Sequence, residues 1–207
     1  MADSGDGEGG TGRPRREQAR ARVTRAALLS AGRDCFVAAG FAQTSVSEIV
    51  ARAGSGVGTL YHHFGGKNEL YLALYEDYQV RQEQRAAAAV ARARAGGVAE
   101  PVGLFVAGAR AFLDGCWEER DLAQLFLEGN GPAGFDLLAR SRNRRWMRGN
   151  ARLLEPGQQP FGEALTLVLT TVTAEAGREV VVRVSREDAT AFRDEVLVLL
   201  ARIAEVP

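Results

Sequence analysis

Two short helical segments, bounded by glycines between residues 45 and 67, constrain the fold most strongly. Residues 45–48 (SVSE) predict a capping box, in which the Ser45 hydroxyl and the Glu48 carboxylate satisfy the free backbone donors of a new helix. Residues 54–56 (GSG) then break the periodicity, and residues 57–64 form a second short helix before two further glycines. Two short helices across a tight turn predict a helix-turn-helix.

Helical periodicity continues on both sides of this unit. Apolar residues recur at three- and four-residue steps from about Arg16, and Gly40 is placed as a C-terminal cap of this first helix. The second helix is expected to run to about Ala53 and the third to bury Leu60 and Phe64. From Lys67 a long helix is predicted to continue through residues 86–93, with one apolar side formed by Leu70, Tyr71, Leu74 and Tyr78.

The remainder of the chain is also predicted to be helical. Breaks at residues 129–132 and 156–160 divide it into four or five helices. Residues 179–184 are rich in β-branched side chains, but one strand without a partner is implausible, so they are interpreted as a helix end and a loop. We therefore predict an all-α fold of about nine helices, with a disordered tail at residues 1–15 and domains at residues 16–67 and 68–207.

The charge is unevenly distributed along a chain whose formal net charge is zero. Residues 13–67 carry nine basic and three acidic side chains, a net charge of +6, whereas residues 1–12 and 68–207 each carry −3. A basic N-terminal third indicates a polyanionic partner, and DNA is the most common one.

Several classes of protein are not supported by the sequence. No apolar run reaches the roughly 18 residues of a membrane span, and no signal peptide precedes the first helix, so a cytoplasmic location without membrane attachment is expected. Cys35 and Cys116 are far apart, which predicts neither a disulfide framework nor a zinc ribbon. His62 and His63 diverge by about 100° on a helix, so no metal site is expected. No catalytic constellation is found, and neither an enzyme nor a cofactor is predicted.

Residues 40–50 (GFAQTSVSEIV) and 58–70 (GTLYHHFGGKNEL) resemble the DNA-binding domain of the TetR family of repressors. The Gly-Phe before the second helix, the Thr-Leu-Tyr-x-His-Phe recognition helix and the following Lys-x-x-Leu all agree. The resemblance covers about residues 22–75. It implies an all-helical homodimer with an N-terminal helix-turn-helix domain and a variable C-terminal domain for ligand binding and dimerisation.

The resemblance also implies which residues contact DNA. Positions matching Ser45, Tyr61, His63 and Lys67 hold the phosphate backbone, and those matching Val57, Gly58 and Tyr61 face the bases. Family members often have polar residues where this chain has residues 56–57 (GV), so base readout is expected to be sparse, although Val57 can pack on a thymine methyl. The full predicted interface comprises Thr44, Ser45, Ser55, Val57, Gly58, Thr59, Tyr61, His62, His63 and Lys67.

Alternatives without DNA contact remain open for Tyr61, for Lys67 and for the basic run that precedes them. Tyr61 could complete the small core instead of facing DNA, and Lys67 could be a solvated surface charge. The arginine-rich run at residues 13–22 is either solvated or an arm that reaches the minor groove.

The C-terminal helices are expected to pair and to enclose a ligand. By the resemblance, residues 161–181 and 186–204 form a four-helix dimer interface; the alternative is a purely intramolecular core. The first of these helices has a broad apolar face formed by Ala164, Leu165, Val168, Leu169, Val172 and Thr173. Aromatic walls for a pocket are predicted from Phe105, Phe112, Trp117, Phe126 and Trp146. The arginines of residues 140–148 are interpreted as a solvated face rather than an anion site.

The leading functional hypothesis is a transcriptional regulator that binds a palindromic DNA operator as a dimer and is released by an unidentified small-molecule inducer. One alternative is an enzyme or small-molecule-binding protein in which the N-terminal helices are only structural. Another retains DNA binding but makes it unregulated or activating.

Overall fold

The computed structural model describes residues 12–127, 131–154 and 162–204, and these residues form nine α-helices without a strand. The all-α prediction is confirmed. In chain order the helices are α1 (Gly12–Gln43), α2 (Val46–Arg52), α3 (Val57–Phe64), α4 (Lys67–Ala95), α5 (Pro101–Glu118), α6 (Arg120–Leu127), α7 (Phe135–Leu154), α8 (Gly162–Val181) and α9 (Arg186–Ala204).

Helix α1 is longer at its N-terminal end than the sequence pattern predicts. It begins at Gly12 rather than Arg16, so residues 12–15 are not part of a disordered tail. Arginine, glutamine, glutamate and alanine all favour helices, and a proline is tolerated in the first turn because its missing N–H has no helical acceptor there. Residues 1–11 of the predicted tail lie outside the described residues. Gly40 interrupts the helix with φ 77° and ψ 166°, at the predicted cap position, and residues 41–43 add one more turn.

The N-terminal helices share one core with the start of α4. Leu28 and Phe36 of α1, Ile49 of α2, Leu60 of α3 and Leu70 of α4 are all completely buried. The helix-turn-helix is therefore held in a fixed orientation relative to α4, because each of its short helices contributes a side chain to that core.

Tyr71 joins this core to the rest of the molecule. It is fully buried on α4, and its ring packs edge-on against four phenylalanines at centroid distances of 5.2–5.5 Å. Two of these rings come from α1 and its extension, and two come from α6 and α7: they are Phe36, Phe41, Phe126 and Phe135. The predicted apolar side of α4 is confirmed, since Leu74 and Tyr78 are buried as well.

A partly buried ion cluster ties α4 to the end of α5. Glu119 accepts hydrogen bonds from Arg81, at 2.6 Å, and from Arg85. Burial alone would raise the pKa of Glu119, but the bonds from the two guanidinium groups hold it below its usual value. The stabilisation is therefore present above the unfolded-state pKa and is lost as the pH falls through the lower folded-state pKa.

Helices α8 and α9 match the two predicted C-terminal helices, and residues 182–185 connect them as a loop; Phe161 lies outside the described residues. The predicted apolar face of α8 is divided, because Leu169 and Thr173 are buried whereas Val168 and Val172 are exposed. We call the large apolar side chains left exposed on these two helices the α8–α9 patch: Leu167, Val168, Val172, Val198, Leu199 and Ile203.

Candidate nucleic-acid interface

The start of α2 carries the predicted capping box. The Ser45 backbone N–H donates to Glu48 Oε2 at 2.7 Å, and the Glu48 N–H donates to Ser45 Oγ at 3.2 Å. The Ser45 hydroxyl also donates to the same carboxylate at 2.9 Å, so this exposed serine fixes where α2 begins. The hydrogen bonds that the Ser45 N–H and hydroxyl donate to the Glu48 carboxylate lower the pKa of Glu48.

A short glycine turn sets the angle between α2 and α3. Gly54 has φ 60°, in the left-handed region that favours glycine, and the Ser55 N–H donates to Val50 O at 2.9 Å. Helix α3 then starts at Val57 and ends at Phe64, at the predicted bounds. The turn and the helix that follows it therefore have the helix-turn-helix arrangement that the glycine spacing predicts.

Helix α3 has one buried and one free side. Leu60 is fully buried, and Phe64 is half-buried beneath the Arg25 guanidinium, 5.0 Å from the ring centroid. Val57, Gly58, Tyr61 and His62 are exposed, and we call these four residues the α3 outer face. The remaining predicted contacts on or beside α3, Ser55, Thr59 and His63, are half-buried at its edges.

Tyr61 differs from every other tyrosine of the chain. Tyr71, Tyr75 and Tyr78 are at most 6% exposed, whereas Tyr61 is 53% exposed. Because a tyrosine ring that completes a core is covered, the alternative interpretation of Tyr61 as a core residue is wrong. The phenol is free to meet a partner outside the chain.

Thr44 was predicted to contact DNA, but the structure places its side chain inside the domain. It is 2% exposed, and its hydroxyl lies within hydrogen-bond distance of Gly40 O, at 2.8 Å, and Cys35 O, at 3.1 Å. A direct contact from this hydroxyl is therefore contradicted. Its single hydroxyl hydrogen can be donated to one of these two carbonyl groups, which belong to the last turns of α1 around the kink at Gly40.

Lys67 makes contacts within the domain that the sequence did not suggest. Its ammonium donates to Phe41 O at 2.9 Å and to Thr44 O at 2.8 Å, and it lies 4.4 Å from the centroid of the Phe41 ring. The interpretation as a free solvated charge is wrong. The first residue of α4 thus holds the connection between α1 and α2, and one N–H of the ammonium is left for a phosphate.

We expect Lys67→Met to lower the free energy of unfolding by about 1.5–3 kcal/mol, because two carbonyl groups lose a charged donor. Arg52→Met is the matched control: Arg52 lies on α2 and its 3.1 Å ion pair with Asp34 is exposed, so the loss should be at most about 1 kcal/mol. Urea denaturation of both variants measures the difference. Equal stability of Lys67→Met and the parent chain would contradict this role.

The basic run at the N-terminal end is helical rather than extended. Arg15, Arg16, Arg20 and Arg22 are exposed on α1, and none of them forms an ion pair with another described residue. The Arg13 side chain lies outside the described residues. The run therefore presents free positive charge, but it does so from a helix and not from an extended arm.

Two residues of this region were not anticipated as site residues. Arg25 covers Phe64 at the end of α3, and Phe41 links Lys67 to Tyr71 through its carbonyl and its ring. The Gly-Phe pair at residues 40–41 was visible in the sequence motif, but its partners are distant along the chain.

Aromatic side chains line two of the cavities among the described C-terminal helices. The large cavity has a volume of about 700 Å³ between α4, α5, α7 and α8, and Phe105 and Trp146 line it. The small cavity has a volume of about 320 Å³, and Phe112, Phe126 and Trp146 line it. Trp146 separates the two, with its ring centroid 5.3 Å from that of Phe112. Both volumes fall in the range of roughly 300–1,000 Å³ typical of small-molecule sites.

Trp117 is the predicted pocket residue that lines neither cavity, as far as the described residues define them. It is half-buried and packs on the Arg120 guanidinium, 4.6 Å from its ring centroid. Trp117 therefore covers the surface beside α6. Its helical position could not distinguish this side of α5 from the side that faces the cavities.

Four of the five arginines of residues 140–148 are exposed, as the solvated-face interpretation predicts, and only Arg142 is half-buried. Arg142 is paired with Glu76 and Glu83, and Arg140 lines the small cavity. Arg145 and Arg148 line the large cavity. Only Arg144 of this set lies on the exposed surface away from both cavities within the described part of the chain.

These features define a helix-turn-helix protein of the DNA-binding class, with a free recognition helix on a basic domain. Within the described ranges, no helix is long and apolar enough to cross a bilayer. The same residues contain no group of three or more His, Cys, Asp or Glu placed to hold a metal ion.

Comparisons with known proteins agree with this class. Residues 28–74 match the model of the bacterial regulatory proteins of the tetR family. No curated protein sequence matches the chain. A TetR-like transcriptional regulator from Rhodococcus sp. RHA1 has a similar structure, with a TM-score of 0.62 and 26% identity over 88% of this chain and 97% of that one.

Two further solved structures share the fold. A TetR-family transcriptional regulator from Pectobacterium atrosepticum has a TM-score of 0.63 and 24% identity, over 89% of this chain and 94% of that one. A transcriptional regulator from Aquifex aeolicus has a TM-score of 0.67 and 20% identity, over 87% of this chain and 99% of that one. The predicted resemblance is confirmed: the N-terminal domain is that of the TetR family of DNA-binding regulators, and the chain has the fold of its members.

Proposed function

We propose that this chain is a ligand-responsive repressor, which binds a palindromic operator as a homodimer and leaves it when a small molecule binds. The α3 outer face carries the proposal. It presents Tyr61 and His62 to a partner and bare backbone at Gly58, and a major groove admits a helix of this kind. Lys67, Ser45 and His63 lie around it, where phosphate contacts would orient the helix.

The α8–α9 patch supports dimerisation. Six large apolar side chains, from 37% to 55% exposed, lie on two adjacent helices. A concentration of exposed apolar side chains on adjacent helices favours an interaction site there. A second copy, related by a two-fold axis, would cover the patch with the same patch and present two α3 helices to two half-sites.

Helix α4 offers a direct connection between ligand and DNA. It has 29 residues and is roughly 43 Å long at 1.5 Å per residue. It begins at Lys67, which holds the helix-turn-helix, and its C-terminal half forms one wall of the large cavity. A ligand that displaces this wall would move α3 of each protomer and change the spacing of the two recognition helices, so that ligand and operator oppose each other.

Selection of genomic fragments by the purified protein tests this function. We expect the bound fragments to share an inverted repeat whose half-sites are centred about one helical turn apart, roughly 34–36 Å, or a multiple of it. Retention of fragments without any common sequence would contradict operator binding.

Gly58 gives a sharper test of the recognition surface. A Cβ added at Gly58 of α3 or at Gly149 of α7 meets no atom within 4 Å in the free protein. Gly149→Ala should raise the free energy of unfolding by about 0.5–1 kcal/mol. Gly58→Ala should raise it by less, because Gly58 lies near the start of its helix. Against DNA, only the added methyl at Gly58 should collide with the groove, which we expect to cost at least about tenfold in affinity.

The measurement pairs chemical denaturation with operator titration for both glycine variants. Gly149→Ala is the matched control for operator titration without effector, because Gly149 lies on α7 and faces the large cavity. If Gly58→Ala bound the operator as tightly as Gly149→Ala does, the backbone of α3 would not approach DNA closely.

A further inference from the structure

The large cavity exists because small residues face it from three helices. On α4, residues 83, 86, 87, 90, 91 and 94 lie along one side of the helix at three- and four-residue spacing, and half of them are alanine. Gly108 of α5 and Gly149 of α7 face the same space. Since the alanine and glycine residues do not reach across the gap, the helices leave a largely apolar space, which Phe105 and Trp146 also line.

Positive charge is concentrated at the mouth of this cavity. Four arginines, Arg94, Arg145, Arg148 and Arg152, line it together with one carboxylate, that of Glu83. Glu83 is already shared, since it lies 3.5 Å from Arg142 and 3.9 Å from Arg145. Arg94, Arg148 and Arg152 form no ion pair with any residue in the described parts of the chain.

The polar groups deeper in the lining are satisfied within the protein. Asn150 donates its amide N–H to Thr170 Oγ1 at 3.1 Å, and the Thr173 hydroxyl donates to Leu169 O at 2.7 Å. The interior therefore favours an apolar group, whereas the mouth favours an anion, because three of its guanidinium groups have no carboxylate partner among the described residues.

We propose that the large cavity binds an amphipathic anion: an apolar body against the alanine-lined wall of α4, and a carboxylate or phosphate at Arg94, Arg148 and Arg152. This deepens the proposed function, because it rests on the same cavity being the effector site. The positive charge of the arginines selects an anionic head group, and the apolar lining of α4 and α5 selects an apolar body.

Tryptophan fluorescence provides a direct test in the absence of DNA. Trp146 lines the large and the small cavity and Trp117 lines neither, so Trp117→Phe leaves one tryptophan that reports on binding in this region, and the arginine variants below assign the signal to the large cavity. Laurate, dodecyl phosphate, dodecanol and dodecyltrimethylammonium share one chain length and differ in charge. We expect saturable changes in Trp146 emission with the two anions, at affinities at least about tenfold above those of the other two and falling with added salt. The ratio of laurate to dodecyl phosphate affinity distinguishes the two head groups.

A double variant locates the anion. Arg148→Gln with Arg152→Gln should weaken laurate and dodecyl phosphate by about tenfold and leave dodecanol unchanged. Arg144→Gln, on the same helix but away from both cavities, is the matched control and should change no affinity by more than about twofold. The proposal is overturned if neither anion binds, if dodecanol or the ammonium compound binds as tightly, or if Arg144→Gln has the same effect as the double variant.

The experiments distinguish a failure of the anion preference from a failure of ligand-regulated operator binding. Anion binding at this cavity without any change in operator affinity supports the inference about the cavity but contradicts regulation by this ligand class. Operator release by a neutral or cationic compound that displaces laurate from Trp146 would keep the proposed function and overturn the anion preference.

Discussion

Replacing Val168 and Leu199 with aspartate is expected to convert a dimer into a monomer and to weaken operator binding by about 10²- to 10⁴-fold. Both side chains belong to the α8–α9 patch, at 41% and 55% exposure. In a two-fold interface each aspartate occurs twice, so four carboxylates would be desolvated at one surface. In a dimer, binding of one half-site holds the second recognition helix at a high effective concentration near the other half-site. A monomer loses this gain, and we expect the affinity to fall by the corresponding factor.

Light scattering coupled to gel filtration gives the mass, and fluorescence anisotropy gives the operator affinity. Val184→Asp is the matched control, because Val184 is 94% exposed in the loop between the two helices and lies outside the patch. It should remain dimeric and bind DNA normally. Both variants should keep their helical content, since exposed positions contribute little to monomer stability. A double variant with the mass and affinity of the parent chain would refute the proposed interface.

Removal of the Tyr61 phenol should have the next largest effect. We expect Tyr61→Phe to weaken operator binding by about 10- to 100-fold if the hydroxyl donates to a phosphate, since hydrogen bonds to charged groups contribute about 1.5–3 kcal/mol. Tyr61→Ala should weaken it further by removing the ring. Neither change should alter the melting temperature much, because the side chain is more than half exposed.

Val37→Ala provides the control for Tyr61. Val37 is also an exposed apolar position of the N-terminal helices, at 39%, but it lies on α1 rather than on the α3 outer face. Its operator affinity should equal that of the parent chain. Wild-type affinity in Tyr61→Ala, or a large loss of stability in that variant, would show that the phenol does not act at the DNA surface.

The local features of the helix-turn-helix could be predicted because their signals are local. The capping box of Ser45 and Glu48 depends on residues three apart, and Gly54 marks a backbone conformation that other residues rarely adopt. The bounds of α3 follow directly from the glycines on either side. The start of α1 was misplaced because a polar, glycine-rich composition precedes it and masks the helix-forming run.

Contacts between distant residues could not be predicted in the same way. Lys67 reaches carbonyl groups 23 and 26 residues before it, and Thr44 turns inward to Cys35. Periodicity assigns a side chain to a side of its helix, but it does not say which neighbour covers that side. The same limit explains Trp117, which lies on α5 near the cavities yet packs on Arg120.

The composition of the α3 outer face indicates how sequence could be recognised. Val57 and Gly58 offer no side-chain hydrogen bonds to bases, so Tyr61 and His62 are its only polar side chains. We therefore expect operator preference to depend substantially on phosphate contacts and on DNA shape. Base-pair substitutions at operator positions that the protein does not contact should then still change operator affinity.

The salt dependence of operator affinity tests DNA recognition by this domain most directly. A labelled operator fragment from the genomic selection is titrated with the purified full-length protein between 50 and 200 mM salt. If the dimer neutralises about 6–10 phosphates, affinity should fall by roughly 10³- to 10⁵-fold over this range. Operator affinity that does not change with salt, or the absence of binding at 50 mM salt, would contradict DNA recognition by this domain.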